Sequence, residues 1–183
     1  MATENKTEEV LFAGFGGQGV LSMGKILAYS GMMEGKEVCW MPSYGPEMRG
    51  GTANCVVIVS NQPIISPIIS TYDTIVALNQ PSVDKFEERV KSGGVLIYET
   101  STVNNPPTRK DITIIPINAN EEALKMGFQK GFNMIVLGAF LESRKTVSVD
   151  GIEKGLKKAL PERAHSSIPQ NMEAFKKGAA YVK

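Results

Sequence analysis

The chain has 183 residues, of which 42% are hydrophobic and 21% charged. That length suits one domain, and the composition excludes a disordered chain, a collagen-like repeat and a coiled-coil rod. The net charge of +1 gives no electrostatic footprint for nucleic acid, although residues 151–183 hold seven basic and three acidic residues against thirteen and sixteen in 1–150.

Residues 1–8 read as a polar tail expected to be disordered, and 9–183 as a single domain. The polar, acidic start MATENKTEEV is unlike a signal peptide, so a cytoplasmic location is expected. Glu9–Ala13 (EVLFA) reads as a strand that ends at Gly14. Val20–Met33 reads as a helix with Val20, Met23 and Leu27 on one face. Glu37–Met41 predicts a second strand, and Pro42–Gly51 a glycine- and proline-rich loop. Thr52–Val59 is the next strand, followed by a turn-rich link broken by Pro63 and Pro67. Thr74–Leu78 precedes a helix opened by Pro81 and Ser82 and ended by Gly93–Gly94.

Val95–Tyr98 and Ile112–Ile117 complete the strands, and the proline in the last predicts an edge position or a strand end. Asn120–Phe128 reads as helical. Asn133 is expected to cap the apolar run Met134–Leu141, which is too uniform for a half-exposed helix and too short to cross a bilayer. It should be buried, either in the core or against another subunit. Asp150 is expected to cap a helix with Ile152, Leu156 and Leu160 on one face, and Asn171–Tyr181 closes the chain. Short apolar strands alternating with helices predict an α/β domain with a doubly wound, mostly parallel sheet.

Two loops carry chemical interest. Gly14-Phe15-Gly16-Gly17-Gln18-Gly19 fits G-x-G-x-x-G between a strand and a helix, where glycines let backbone N–H groups approach a phosphate. The second half of a dinucleotide fingerprint, a carboxylate ending the second strand, is missing: Cys39-Trp40-Met41-Pro42 stands there. NAD or FAD is therefore not expected, and a tight turn with close packing remains an open alternative. In Pro42–Gly51 the residues of interest are Ser43, Tyr44, Gly45, Glu47, Arg49 and Gly50. Arg49 offers a planar fork to a carboxylate or phosphate, while a turn with a solvated Glu47–Arg49 pair is the alternative. Both loops should open on one crevice at the carboxyl ends of the strands.

Chemistry-bearing residues are otherwise sparse. The one histidine, His165, falls near the C-terminus, and Cys39 and Cys55 cannot build a four-thiolate cluster. No nucleophile–base order or metal-binding helix motif is present, so no residue of this chain is expected to be catalytic or to hold a metal.

FAGFGGQGV followed by SYGPEMRGG resembles the gamma subunits of 2-oxoacid:ferredoxin oxidoreductases, and YDTIVALNQPS, GGVLIYETS and GFNMIVLGAF extend the resemblance over essentially the whole chain. The Y-G-P-E-x-R-G-G form is closer to the 2-oxoglutarate and branched-chain members than to the pyruvate members. The resemblance implies a Rossmann-like domain that packs beside the active site of a heteromeric complex and handles coenzyme A. Thiamine diphosphate and iron–sulfur clusters would be carried by alpha, beta and ferredoxin-like delta subunits, with ferredoxin as electron acceptor. It further implies that Gly14, Gly16, Gly17, Gln18, Gly19, Ser43, Tyr44, Gly45, Glu47, Arg49 and Gly50 are the cofactor-facing residues. The isolated chain is expected to be inactive and prone to self-association. A subunit of indolepyruvate oxidoreductase and a free-standing nucleotide- or CoA-binding module are the alternatives.

Overall fold

The computed structural model describes residues 7–44 and 52–182. Six strands form one sheet in the order β2-β3-β1-β4-β5-β6, with β1 at Thr7–Phe15, β2 at Glu37–Tyr44, β3 at Thr52–Ser60, β4 at Tyr72–Ala77, β5 at Val90–Glu99 and β6 at Thr113–Ile117. β1, β4, β5 and β6 pair in parallel, and β3 runs antiparallel to both β1 and β2. Only β3 is reversed, so the carboxyl ends of all the other strands lie along one edge. The proline-bearing β6 is an edge strand, as its Pro116 predicts.

Alternate residues of the strands feed two cores. Val10 and Phe12 of β1, with Val57, Val76 and Ile97, face helices α1 (Val20–Met33), α4 (Phe132–Arg144), α5 (Val149–Ala159) and α6 (Ile168–Ala179). Leu11 and Ala13, with Ile75 and Leu96, face α2 (Gln80–Phe86). The short helix α3 (Ala119–Lys125) joins the larger core through Ala119 and Ala123.

The run Met134–Leu141 is core, and the expectation that it meets another subunit is overturned. Ile135, Val136 and Phe140 are each 0% exposed within the chain. One side of α4 packs on the sheet, where Phe140 meets Phe12 edge-on with ring centroids 5.8 Å apart. The other side is covered by α6 at very close range. A Cβ at Gly178 would stand 1.7 Å from the Ile135 carbonyl oxygen, and one at Gly138 would stand 2.0 Å from that of Phe175. A helix sandwiched on both sides needs no polar face.

Several boundaries differ from the sequence expectations, most of them for a local reason. β1 begins at Thr7, within the predicted tail, because Glu8 is buried and held by Arg144 and Thr74. The helix after Pro81 gives way to a single 3-10 turn, Glu87–Arg89, and β5 starts at Val90, so Gly93 and Gly94 lie inside a strand rather than ending a helix. Val90 is buried and pairs with Tyr72, and the register then shifts before Thr74 meets Val95. Ser148, not Asp150, caps α5, its hydroxyl accepting from the Gly151 N–H at 2.9 Å. Asn133 does not cap α4, which starts one residue earlier at Phe132.

Candidate functional site

The glycine loop leaves β1 at Phe15, which lies level with Thr52 of β3, while Tyr44 of β2 lies level with Ala53. Tyr44 and Thr52 therefore lie at the same end of the sheet as the glycine loop, with β2 two strand spacings, about 10 Å, from β1. Ser43 and Tyr44 are the last residues of β2 rather than part of a loop, and Ser43 is exposed opposite Asn54. Gly45, Glu47, Arg49 and Gly50 lie outside the described residues.

The first crevice is a topological switch point. From β1 the chain crosses by α1 on one face, and from β4 by α2 on the other, so the carboxyl ends of the neighbouring β1 and β4 part there. Much of its polar capacity is used internally. The Gln18 Oε1 accepts the Phe15 N–H at 2.6 Å, and its Nε2 donates to the Leu78 carbonyl at 2.9 Å. The same carbonyl accepts from Thr102 Oγ1 at 2.8 Å. Gln18 thus ties the turn to β4, and a side chain on Gly14 would stand 2.7 Å from its Oε1.

Gly17 and Gly19 have φ of 97° and 75°, a left-handed backbone that favours glycine. Gly16 and Gly17 are exposed. Gly19 has a second constraint, since a Cβ there would meet Asn133 Cβ at 2.8 Å. The α1 start that follows has neither a side-chain cap nor an acidic residue in its first turn, so its leading N–H groups keep their partial positive charge. The 6-residue motif therefore closes a turn at Gly14 and Gln18 and opens to solvent at Gly16 and Gly17.

Two further residues fasten this end of the sheet without any sequence motif to mark them. Glu99, fully buried at the end of β5, accepts from the Ala119 N–H at 2.8 Å, from Ser101 Oγ at 2.7 Å and from the Ser101 N–H at 3.2 Å. Cys55 of β3 donates its thiol to the Val20 carbonyl at 3.4 Å. Burial pushes that thiol up to about 12, against hydrogen bonds from Trp40 and Gly24. In the strand registers Cys55 lies opposite Phe12 and Pro42, and Cys39 opposite Ile58, so the two cysteines occupy opposite faces of the sheet. Among the described residues no cluster of three His, Cys, Asp or Glu side chains is placed to hold a metal ion.

A dinucleotide fits this crevice poorly. Gln18 consumes the Phe15 N–H beside the turn, and β2 ends in Pro42-Ser43-Tyr44, with no carboxylate for a ribose.

Residues 9–181 match the family profile described as pyruvate ferredoxin/flavodoxin oxidoreductase. The chain belongs to this family. It is 42% identical over 132 residues to the ketoisovalerate oxidoreductase subunit VorA of Methanothermobacter thermautotrophicus, covering 72% of this chain and 27% of that protein. The chain thus spans about a quarter of the length of that relative. Against the 2-oxoglutarate synthase subunit KorC of Methanocaldococcus jannaschii it is 31% identical, covering 96% of this chain and 94% of that one.

Several solved structures share the fold. The keto/oxoacid ferredoxin oxidoreductase gamma subunit of Geobacter sulfurreducens superposes with a TM-score of 0.81 at 30% identity, covering 97% and 99% of the two chains. The 2-oxoglutarate:ferredoxin oxidoreductase of Magnetococcus marinus, solved with 2-oxoglutarate, coenzyme A and succinyl-CoA bound, gives 0.87 at 25% identity over 98% of this chain and 31% of that one. The α/β domain with its mostly parallel sheet is therefore the fold of gamma subunits in this family.

Proposed function

We propose that this chain is the non-redox gamma subunit of a thiamine diphosphate-dependent 2-oxoacid:ferredoxin oxidoreductase. The complex would oxidatively decarboxylate a 2-oxoacid to an acyl-CoA and pass the electrons to ferredoxin. The observation that carries this reading is end-to-end likeness to a KorC subunit and to a gamma subunit of known structure. Thiamine diphosphate and the iron–sulfur clusters would sit on partner subunits. This fits a chain whose cysteines lie on opposite faces of its sheet, one of them held as a thiol.

The chain's own contribution would be made at the carboxyl edge of the sheet. Gly16, Gly17 and the uncapped start of α1 present N–H groups suited to an anion. Glu47 and Arg49 belong to the link between Tyr44 and Thr52, both of which stand at the same edge. A 2-oxoacid carboxylate and the phosphates of coenzyme A are anions of the right kind for both. Ser43, Tyr44, Gly45 and Gly50 would shape the second loop, and Gln18 would hold the first against β4. The substrate class follows the relatives, a branched-chain 2-oxoacid or 2-oxoglutarate.

The test is reconstitution. The full chain, co-expressed with thiamine diphosphate-bearing and ferredoxin-like subunits of such a complex, should assemble and reduce ferredoxin when given coenzyme A and a 2-oxoacid from a panel. Omitting this chain should abolish that activity. An active complex lacking this chain would overturn the proposal. Within the complex, Arg49→Ala separates two roles for that side chain: a raised KM for coenzyme A or 2-oxoacid marks a ligand contact, whereas weaker assembly at unchanged KM marks a docking role.

A further inference from the structure

A deep cavity lies beside the glycine loop rather than in front of it. It is a cleft of about 670 Å³ bounded by α1, the start of α4, the end of α5 and the 3-10 turn Glu162–Ser167. That volume lies in the range of small-molecule sites. Its lining holds three cations, Lys25, Lys130 and Arg163, and no carboxylate. None of the three makes an ion pair with any described residue; Lys25 lies 5.7 Å from the Tyr29 ring, and Lys130 and Arg163 are exposed.

Helix direction adds to the charge. Arg144 in the last turn of α4 reaches Glu8 at the start of β1, so the first turn of α4 lies at the opposite, carboxyl end of the sheet. The Gly19–Asn133 contact agrees. Ser22, Asn133 and Asn171 lie in the first turns of α1, α4 and α6, and all three line the cleft. Three helices therefore turn their positive ends toward it. One helix, α5, ends there instead. His165 Nε2 lies 3.0 Å from the Lys157 carbonyl and 3.2 Å from that of Leu160. Both partners are acceptors, so Nε2 carries the proton and satisfies the carbonyls that would otherwise repel an anion. Phe128, Leu156 and Leu160 supply apolar wall.

We propose that this cleft binds a phosphate-bearing ligand of nucleotide size, its phosphates at Lys25, Lys130 and Arg163 and its ring system against the apolar wall around Phe128. The basic excess of residues 151–183 contributes to it through Arg163. The inference does not depend on the oxidoreductase reading, since the cleft is complete within this one chain.

Isothermal titration of the full chain at low ionic strength tests it, with ADP and inorganic pyrophosphate as probes. ADP should bind, and pyrophosphate should bind at least about tenfold more weakly for want of the ring contacts. Lys130→Glu and Arg163→Glu should each weaken ADP by about tenfold or more, and the loss should grow as salt is lowered. Lys176→Glu, an exposed cation on the far turn of α6, should leave binding within about twofold. Circular dichroism melts matched to the parent chain exclude unfolding as the cause. No ADP binding, or binding indifferent to both cleft variants, overturns the proposal. Pyrophosphate binding as tightly as ADP overturns the nucleotide-size reading in favour of a plain anion site. A glutamate-rich peptide that binds through Lys130 and Arg163 while ADP fails to displace it overturns the small-ligand reading, making the cleft a dock for an acidic segment.

Discussion

The two ends of the sheet use charge in opposite ways. At the amino end, cations are spent on the fold. Arg144 grips the buried Glu8 through Nε and Nη2 at 2.8–3.0 Å, Lys91 bridges Glu9 at 2.6 Å and Asp73 at 2.8 Å, and Lys36 pairs with Glu34 at 3.5 Å. At the carboxyl end the fastening is done by amides, a hydroxyl, a thiol and the buried Glu99. The cleft cations there, Lys25, Lys130 and Arg163, make no ion pair with any described carboxylate, and Lys125 of α3 pairs only within its own short helix, with Glu121 and Glu122. One end closes the structure, and the other leaves charge and helix termini uncommitted. That is the division expected where ligands meet an open α/β sheet at the carboxyl ends of its strands.

The sharpest way to break this comparison is at the amino end. Among the described residues, Arg144→Ala leaves the Glu8 carboxylate, 1% exposed, with the Thr74 hydroxyl at 2.6 Å as its remaining side-chain partner. Stripping the partner from a buried charge costs about 3–5 kcal/mol, readable as a fall in the urea midpoint. The double variant Glu8→Leu with Arg144→Met should recover most of it, since no charge remains to be satisfied. A loss under about 1 kcal/mol would mean that this pair does not fasten the end. At the carboxyl end Glu99→Ala removes the acceptor of two backbone N–H groups together with the charge itself, so the expected cost is smaller, about 2–3 kcal/mol. Equal losses at the two ends would erase the distinction drawn between them.

Much of this frame is legible in the residues alone. Val20–Met33 is helical from end to end as its periodicity predicts, and the apolar runs become strands because β-branched residues pack well on a pleated surface. What periodicity cannot show is what lies across from a helix. Met134–Leu141 reads as surplus apolar surface until α6 is seen pressed on it through Gly138 and Gly178. The antiparallel place of β3 between β2 and β1 has no local signature either, since strand order is set by long-range pairing. At the candidate site, the glycine loop announces itself, but nothing in the motif shows that Gln18, which the resemblance makes cofactor-facing, also ties the loop to the end of β4. The cleft was hidden because Lys25, Lys130 and Arg163 are far apart in sequence. Only the basic excess of residues 151–183 hinted at it.

A change of pH probes the thiol at the carboxyl end. The folded Cys55 keeps its proton to about 12, whereas an unfolded cysteine releases it near about 8.5. Between those values the native state binds more protons than the unfolded one, so stability falls as pH rises. The contribution is fully present below about pH 8.5 and fades at about 1.4 kcal/mol per pH unit above it. Near pH 10 the loss should be about 2 kcal/mol, and Cys55→Ala should remove that slope. Lys91, raised by its hydrogen bonds to Asp73 and Glu9 although burial pulls the other way, gives up its proton only at higher pH. An alkaline slope unchanged in Cys55→Ala would place the sensitive group elsewhere.

The smallest effect carries the comparison furthest. If the cleft cations are uncommitted in the fold, reversing them should cost it almost nothing. Lys130 and Arg163 are exposed, and no ion pair with a described residue is lost when either is changed. Lys130→Glu and Arg163→Glu should each alter unfolding free energy by no more than about 0.5 kcal/mol, the range of ordinary surface substitutions. The sign should be a slight gain, because crowding of like charges around the cleft is relieved, and it should vanish at high salt. Placed beside Arg144→Ala, this gives a several-fold contrast between cations of similar chemistry at opposite ends of one sheet. A loss of 2 kcal/mol or more in either cleft variant, about the scale of a broken charged hydrogen bond, would show that the cation already has a partner within the folded chain. The cleft would then be part of the fastening, and the division of labour between the two ends would fail.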